Sequence, residues 1–169
     1  VKNIFIARHA KAEFNEEIDD QDRSLTSKGI SDCKDLADSM KNHTIPQLII
    51  CSNAKRSHDT ALNIISHLNK DIKLQVIDDL YLSSRDEIIT MIESIDNQYT
   101  NVMIVGHNPS ISQLVTACAN NSDISKGDLI QLSVGMSPAS AALFSFNQPF
   151  DWQNFRETKS SNKWFFKPL

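Results

Sequence analysis

Residues 4–13 read IFIARHAKAE. A short continuous apolar run closed by polar residues reads as a buried strand, here over Lys2–Ala7. The strand ends on Arg8 and His9, side by side. Two such side chains at a strand tip are either solvated loop residues or part of a site for something anionic. One pair alone does not decide between these readings.

The same pattern recurs twice. QLIICS (47–52) is a second apolar strand, and SNAKRSHDTA follows it, with Arg56 at the start of a helix. NVMIVG (101–106) is a further strand, followed by HNPS, with His107 next to a glycine that lets the chain turn sharply. Between these lie segments of helical period. Thr26 is a fitting N-cap for a helix carrying Ile30, Cys33, Leu36, Ala37 and Met40. Residues 54–68 put Ala61, Ile64, Ile65 and Leu68 on one face. IKLQVID (72–78) reads as a third strand, SRDEIITMIESI (84–95) as a helix capped by Ser84, and SISQLVTACA (110–119) as another.

Two late runs, LIQLSV (129–134) and SAALFSF (140–146), read as strands flanking a turn at Gly135–Pro138. The aromatic tail NKWFFKPL is expected to pack against the body. EFNEEIDDQD (13–22) reads as a mobile acidic loop beside the Arg8–His9 tip. Strands alternating with helices predict an α/β domain, a three-layer α/β/α sandwich with a mostly parallel central sheet. No linker, repeat or low-complexity tract divides residues 1–169, so a single domain is expected.

Composition narrows the function. The net charge of −4 disfavours nucleic acid and anionic membrane as partners. No apolar stretch approaches the ~18 residues of a membrane span, and the first apolar run is too short for a signal-peptide core. Three cysteines, Cys33, Cys51 and Cys118, have no Cys-x-x-Cys spacing and suggest neither a disulfide framework nor a zinc ribbon. A cytoplasmic protein is the default expectation.

In open α/β sheets ligands bind beyond the carboxyl ends of the strands. Three strand ends here deliver Arg8 with His9, Arg56, and His107 to that one edge. Such convergence favours an anion pocket over solvated loops, and helix N-termini at the same edge add free N–H groups. A phosphoryl group suits two guanidinium forks. Two histidines add chemistry: neutral imidazole is a competent nucleophile toward phosphorus, and a second, protonated by the bound anion, stabilises the charge that builds in transfer. Such a route needs no metal and no cofactor.

Other phosphate machinery is missing. With four glycines the chain has no Gly-rich phosphate loop, and it carries no His-Glu-x-x-His. Cys51 precedes Arg56, but the spacing is a residue short for a cysteine phosphatase and the intervening residues lack glycine, so Cys51 reads as a buried strand end. His9, His58 and His107 lack carboxylates at helpful spacing for a metal, and His58 reads as solvated.

ARHAKAE, DRSLTSKG, SNAKRSHDTA and VGHNPSIS, in this order, resemble the histidine phosphatase superfamily. The Ala after Arg-His, the short chain and the Asp-Arg-x-Leu-Thr-x-x-Gly block resemble its SixA-type phosphohistidine phosphatases. The resemblance implies a phosphoglycerate mutase-like fold and His9 as the residue that becomes phosphorylated. It implies Arg8, Arg56 and His107 as the phosphate pocket, with Arg23 as an additional contact, for which an exposed Arg near a helix start is the alternative. Mutase-like relatives carry a Glu after the third strand that protonates a leaving alcohol, and Tyr81 stands at that place here. An alkoxide needs a general acid, whereas a ring-protonated phosphoimidazole needs much less help. The absence of long insertions between the third and fourth strands suits a phosphorylated side chain of another protein.

The expected function is therefore a metal-independent phosphohistidine protein phosphatase, its partner a histidine-phosphorylated phosphorelay or phosphotransferase component. The alternatives are a small-molecule phosphomonoesterase, which requires a carboxylate near Tyr81, and a non-catalytic phospho-protein binding module.

Overall fold

The computed structural model describes residues 1–169. A six-stranded sheet is built from β1 (Lys2–Arg8), β2 (Leu48–Ser52), β3 (Lys73–Ile77), β4 (Asn101–Gly106), β5 (Ala141–Phe146) and β6 (Ser161–Phe166), in the order β3-β2-β4-β1-β5-β6. β1 to β4 run parallel, while β5 is antiparallel to β1 and β6 antiparallel to β5. The helices are α1 (Ser27–Met40), α2 (Lys55–Leu68), α3 (Arg85–Glu93), α4 (Ser110–Asn120) and α5 (Lys126–Ser133).

Strand alternation sorts the core into two layers. Phe5, Ala7, Ile49, Cys51, Met103 and Val105 point toward Leu36, Ala37 and Met40 of α1 and Ala61, Ile64 and Leu68 of α2. Ile4, Ile6, Ile50, Val102 and Ile104 point the other way, toward Ile88 and Ile92 of α3 and Ile111, Leu114 and Val115 of α4. Both faces of the sheet are thus covered, as the continuous apolar strands require. No helix is long and apolar enough to cross a membrane.

Two expected caps form: Thr26 accepts from the Gly29 N–H at 2.9 Å, and Ser84 from the Glu87 N–H at 3.2 Å. Ile30, placed on the apolar face by its spacing, is instead 46 % exposed. The aromatic tail forms β6, with Trp164 edge-on to Phe5 at 5.7 Å.

One expected strand is wrong. Residues 129–133 of LIQLSV belong to α5, and Val134 is its C-cap. The signal lay just upstream: Ser125 accepts from the Asp128 N–H at 3.1 Å, satisfying an orphan donor of the first turn, with Leu132 turned to the core. This N-cap overrides the β-leaning composition of the run.

α1 begins against the loop that follows β1. The Thr26 N–H donates to the Lys11 carbonyl at 2.9 Å, and a Cβ on Gly29 would overlap that same oxygen. Gly29→Ala is expected to destabilise the protein by about 1–3 kcal/mol, because backbone rather than a flexible side chain must yield. Urea unfolding measures this; an unchanged midpoint would show that the two segments separate freely.

Candidate active site

The site begins where β1 ends. Arg8 pairs with Gly106 across the sheet. The His9 N–H donates to the Gly106 carbonyl at 3.0 Å, and the His9 carbonyl accepts from the Ala139 N–H at 3.0 Å. His9 is therefore fixed by backbone bonds to the chain on either side of β1, at the end of β4 and just before β5. The Ala10 N–H donates to the Thr60 hydroxyl at 2.9 Å, which donates in turn to the Arg56 carbonyl at 2.6 Å. Thr60 thereby ties the His9 loop to the first turns of α2. Ser57 does the same for the sheet, donating to the Val105 carbonyl at 3.0 Å and accepting from the Ser52 N–H at 3.2 Å.

The tautomer of His9 follows from one contact. Nδ1 lies 2.7 Å from the Ala10 carbonyl oxygen, which can only accept, so Nδ1 carries the proton and Nε2 keeps a free lone pair. His9 as a whole is 7 % exposed. Burial lowers its pKa to about 3, with His107, Arg56 and Arg8 adding repulsion against a ring cation, so His9 is neutral at pH 7.

His107 stands 5.1 Å from His9 between ring centroids. Its Nε2 is 2.6 Å from the Ser52 hydroxyl, which already accepts from the Ala54 N–H at 3.3 Å. The hydroxyl proton is thus free to be given to Nε2, which leaves Nδ1–H as the remaining donor of the ring. Burial lowers His107 to about 4, and Arg56 pushes the same way, so protonation of this ring must await the charge of a bound anion. Four buried side-chain polar atoms lack a hydrogen-bond partner, and three of them are Arg8 Nε, Arg56 Nε and His107 Nδ1. Their clustering in one place fits a site whose donors are satisfied by a ligand.

Both imidazoles are held neutral by the fold, which sets a pH dependence of stability. A histidine whose folded pKa lies below its unfolded value of about 6.5 contributes its full stability above that pH and loses it as pH falls. Between pH 6.5 and about 4 the unfolded chain takes up protons that the folded one refuses. Stability is expected to drop by about 1 kcal/mol per histidine for each pH unit over that range. Denaturant unfolding from pH 7 to 5 checks it: the slope should halve in His107→Asn, and equal slopes in both proteins would contradict the assignment.

Arg8 reaches the Met136 carbonyl with Nη1 at 3.2 Å, beside the Asn108 amide at 2.8 Å on the same oxygen. Arg56, 6 % exposed, lies at the start of α2, whose N-cap, Ala54, offers no side chain to the first turn. Arg8, His9, Arg56 and His107 thus meet at the carboxyl edge of the sheet, as the strand ends foretold. Cys51 is fully buried in the α1–α2 layer, and burial raises its thiol to about 12, which removes it as a nucleophile. A cavity of about 320 Å³ between α3, α4 and residues 152–157 is lined by none of the four site residues.

Part of the acidic segment is ordered against the cationic groups of the site. Residues Asp20–Asp22 form a 3₁₀ turn over the pocket. Arg56 donates from Nη1 to the Asp20 carbonyl at 2.6 Å and from Nη2 to Asp20 Oδ2 at 2.9 Å. The Tyr81 hydroxyl donates to the same Oδ2, and Arg23 Nη1 to Oδ1 at 3.1 Å. The Tyr81 ring stands edge-on to His107 at 5.5 Å. Tyr81, Arg56 and Arg23 together hold the Asp20 carboxyl well below the usual carboxylate range. Arg23 also donates from Nε to the Glu13 carbonyl at 2.7 Å, so its link to the pocket runs through Asp20. Sequence reasoning missed Asp20, Thr60 and Ser52. For Asp20 the available signal was an acid three residues before Arg23, near a strand end already rich in cations.

Residues 4–81 match the model of the histidine phosphatase superfamily (branch 1). Over that stretch the chain is similar to that superfamily. An uncharacterised protein of Mycobacterium leprae is 29 % identical over 116 residues, 65 % of this chain and 69 % of its own. The fold is phosphoglycerate mutase-like, with wide structural likeness. A Nakamurella multipartitia protein provisionally named phosphohistidine phosphatase SixA superposes with a TM-score of 0.86 at 21 % identity, over 99 % of this chain and 96 % of that one. The protein histidine phosphatase SixA complexed with tungstate gives 0.74 at 17 % identity, over 96 % and 95 %. A mycobacterial glucosyl-3-phosphoglycerate phosphatase gives 0.63 at 15 %, over 95 % and 96 %. At these identities the likeness is one of fold.

Proposed function

We propose that this chain is a member of the histidine phosphatase superfamily and removes a phosphoryl group from a histidine of another protein, by way of a covalent phosphohistidine on His9. The observation that carries the reading is the His9 ring itself: Nδ1–H is bound to its own loop, and an unprotonated Nε2 is free, among Arg8, Arg56 and His107. In the first half-reaction Nε2 forms a bond to phosphorus while the bond to the leaving nitrogen breaks. Arg8 and Arg56 hold the phosphoryl oxygens, and His107, protonated as the dianion enters, stabilises the charge that develops on them. Water then attacks the phosphorus of phospho-His9, and the His9 ring leaves with its Nδ1 proton in place. Every group in this route belongs to the chain, so no metal is invoked.

Two observations support a phosphohistidine rather than an alcohol ester. By the resemblance, Tyr81 stands where mutase-like relatives carry the Glu that protonates a leaving alkoxide, and a phenol with its pKa raised by Asp20 is a weak acid for that task. The structural likeness is also higher to proteins bearing the SixA name than to the glucosyl-3-phosphoglycerate phosphatase. One observation favours the small-molecule alternative: Asp20 is a carboxylate in contact with Tyr81. It is, however, held ionised, and an ionised carboxylate has no proton to give.

The test compares kcat/KM, with EDTA present, for a histidine-phosphorylated carrier protein and for a panel of sugar and nucleotide phosphates. A preference for the carrier of 10²-fold or more is expected. A preference for any metabolite would establish the phosphomonoesterase reading, and binding without turnover of either would leave a phospho-protein binding module.

A further inference from the structure

Asp20 is held in a way that the route through His9 does not use. Its carboxylate is fixed by three donors from three separate elements, Arg56 of α2, Tyr81 after β3, and Arg23 before α1. Its side chain is still half exposed, at 51 %, so it faces outward from Arg56 rather than being sealed beneath it. The Tyr81 ring that holds it packs against His107. A fixed, half-exposed anion therefore stands among the cationic groups of the pocket, in direct contact with Arg56.

We infer that Asp20 is a specificity-determining residue that accepts a hydrogen bond from the free ring N–H of a substrate phosphoimidazole. The inference rests on the phosphohistidine reading and deepens it. A phosphohistidine carries phosphorus on one ring nitrogen and, when protonated, a proton on the other. As His9 Nε2 bonds to phosphorus, the P–N bond of the substrate breaks and its electron pair stays on the departing nitrogen. The departing ring is then a neutral imidazole that keeps its N–H, and the ring charge has passed to phospho-His9. No proton has to move. A carboxylate against that N–H holds the substrate in its reactive, protonated form and orients it, through a charge-assisted bond. An alkyl or aryl phosphate offers no such donor, so the repulsion between Asp20 and the phosphoryl dianion, common to every substrate, is not offset by a ring cation, and this selects against it.

The same contact has a second consequence. Asp20 occupies both terminal nitrogens of Arg56, the atoms a phosphoryl group would take. Oxyanions must compete with it.

The experiment uses Asp20→Asn and Asp20→Ala in the full chain, with three readouts. For a histidine-phosphorylated carrier protein kcat/KM should fall 10- to 100-fold. For p-nitrophenyl phosphate, whose leaving group needs no partner, kcat/KM should rise several-fold. Orthovanadate should inhibit at several-fold lower concentration. Opposite signs on the two substrates are what a merely structural role cannot produce. Equal losses on both, or no change on the carrier, would overturn the role of Asp20 and leave the phosphohistidine reading standing. A wild-type protein inactive on the carrier would overturn both. Tyr81→Phe, which removes one of the three donors, should shift the ratio of the two substrates in the same direction by a smaller factor.

Discussion

His9→Ala is expected to lower phosphate release from a histidine-phosphorylated protein by a factor on the order of 10⁴ or more, the cost of removing a nucleophile rather than a contact. The binding surface should survive. Arg8, Arg56 and His107 do not depend on the His9 ring for their anchorage, which runs through the Met136 carbonyl, Asp20 and Ser52. Orthovanadate should therefore bind His9→Ala with an affinity within roughly tenfold of wild type, since two guanidinium forks supply most of its contacts. The variant should also lose less stability than wild type between pH 7 and pH 5, because a ring that burial keeps neutral has gone. Loss of turnover with retained oxyanion binding and a flatter pH dependence of stability is a signature that simple unfolding cannot give. Retained turnover would place the nucleophile elsewhere.

Arg56→Ala is expected to cost about 10²- to 10³-fold in kcat/KM, the range for deleting one donor aimed at transition-state charge, and more where the ground state also loses its grip. The mutation also strands Asp20, whose carboxylate keeps only Tyr81 and Arg23. Arg56→Lys separates charge from geometry. It restores the cation but not the planar fork, so it should recover only part of the loss. Steady-state kinetics on the carrier measures all three proteins. Full recovery by Lys would mean that Arg56 acts as a point charge and that its two-atom contact with Asp20 is incidental.

Much of this site was legible because it is local. A strand that ends on Arg8–His9, a strand followed by Arg56 and a strand followed by His107 each declare themselves in a few residues, and parallel strands must place those ends on one edge. The two-layer core was equally readable, since alternation along Ile4, Phe5, Ile6 and Ala7 is a period of two. Residues that act through long-range contact were not. Asp20 looked like part of a charged loop because its partners, Arg56 and Tyr81, are 36 and 61 residues away. Thr60 looked like any polar residue on a helix, and only the return of the chain after β1 shows that it holds Ala10. The misread run at 129–134 failed for a local reason instead: Leu-Ile-Gln-Leu-Ser-Val leans toward β, and the cap at Ser125 decided for helix.

The measurement that tests the account most directly is a rapid-quench reaction with a ³²P-labelled, histidine-phosphorylated carrier protein, followed by peptide mapping of the chain. The account predicts label transferred to His9 Nε2 in the first turnover, acid-labile and stable to alkali, appearing before free phosphate and absent from His9→Ala. Label on another residue, or free phosphate released with no labelled intermediate while His9→Ala remains active, would contradict it.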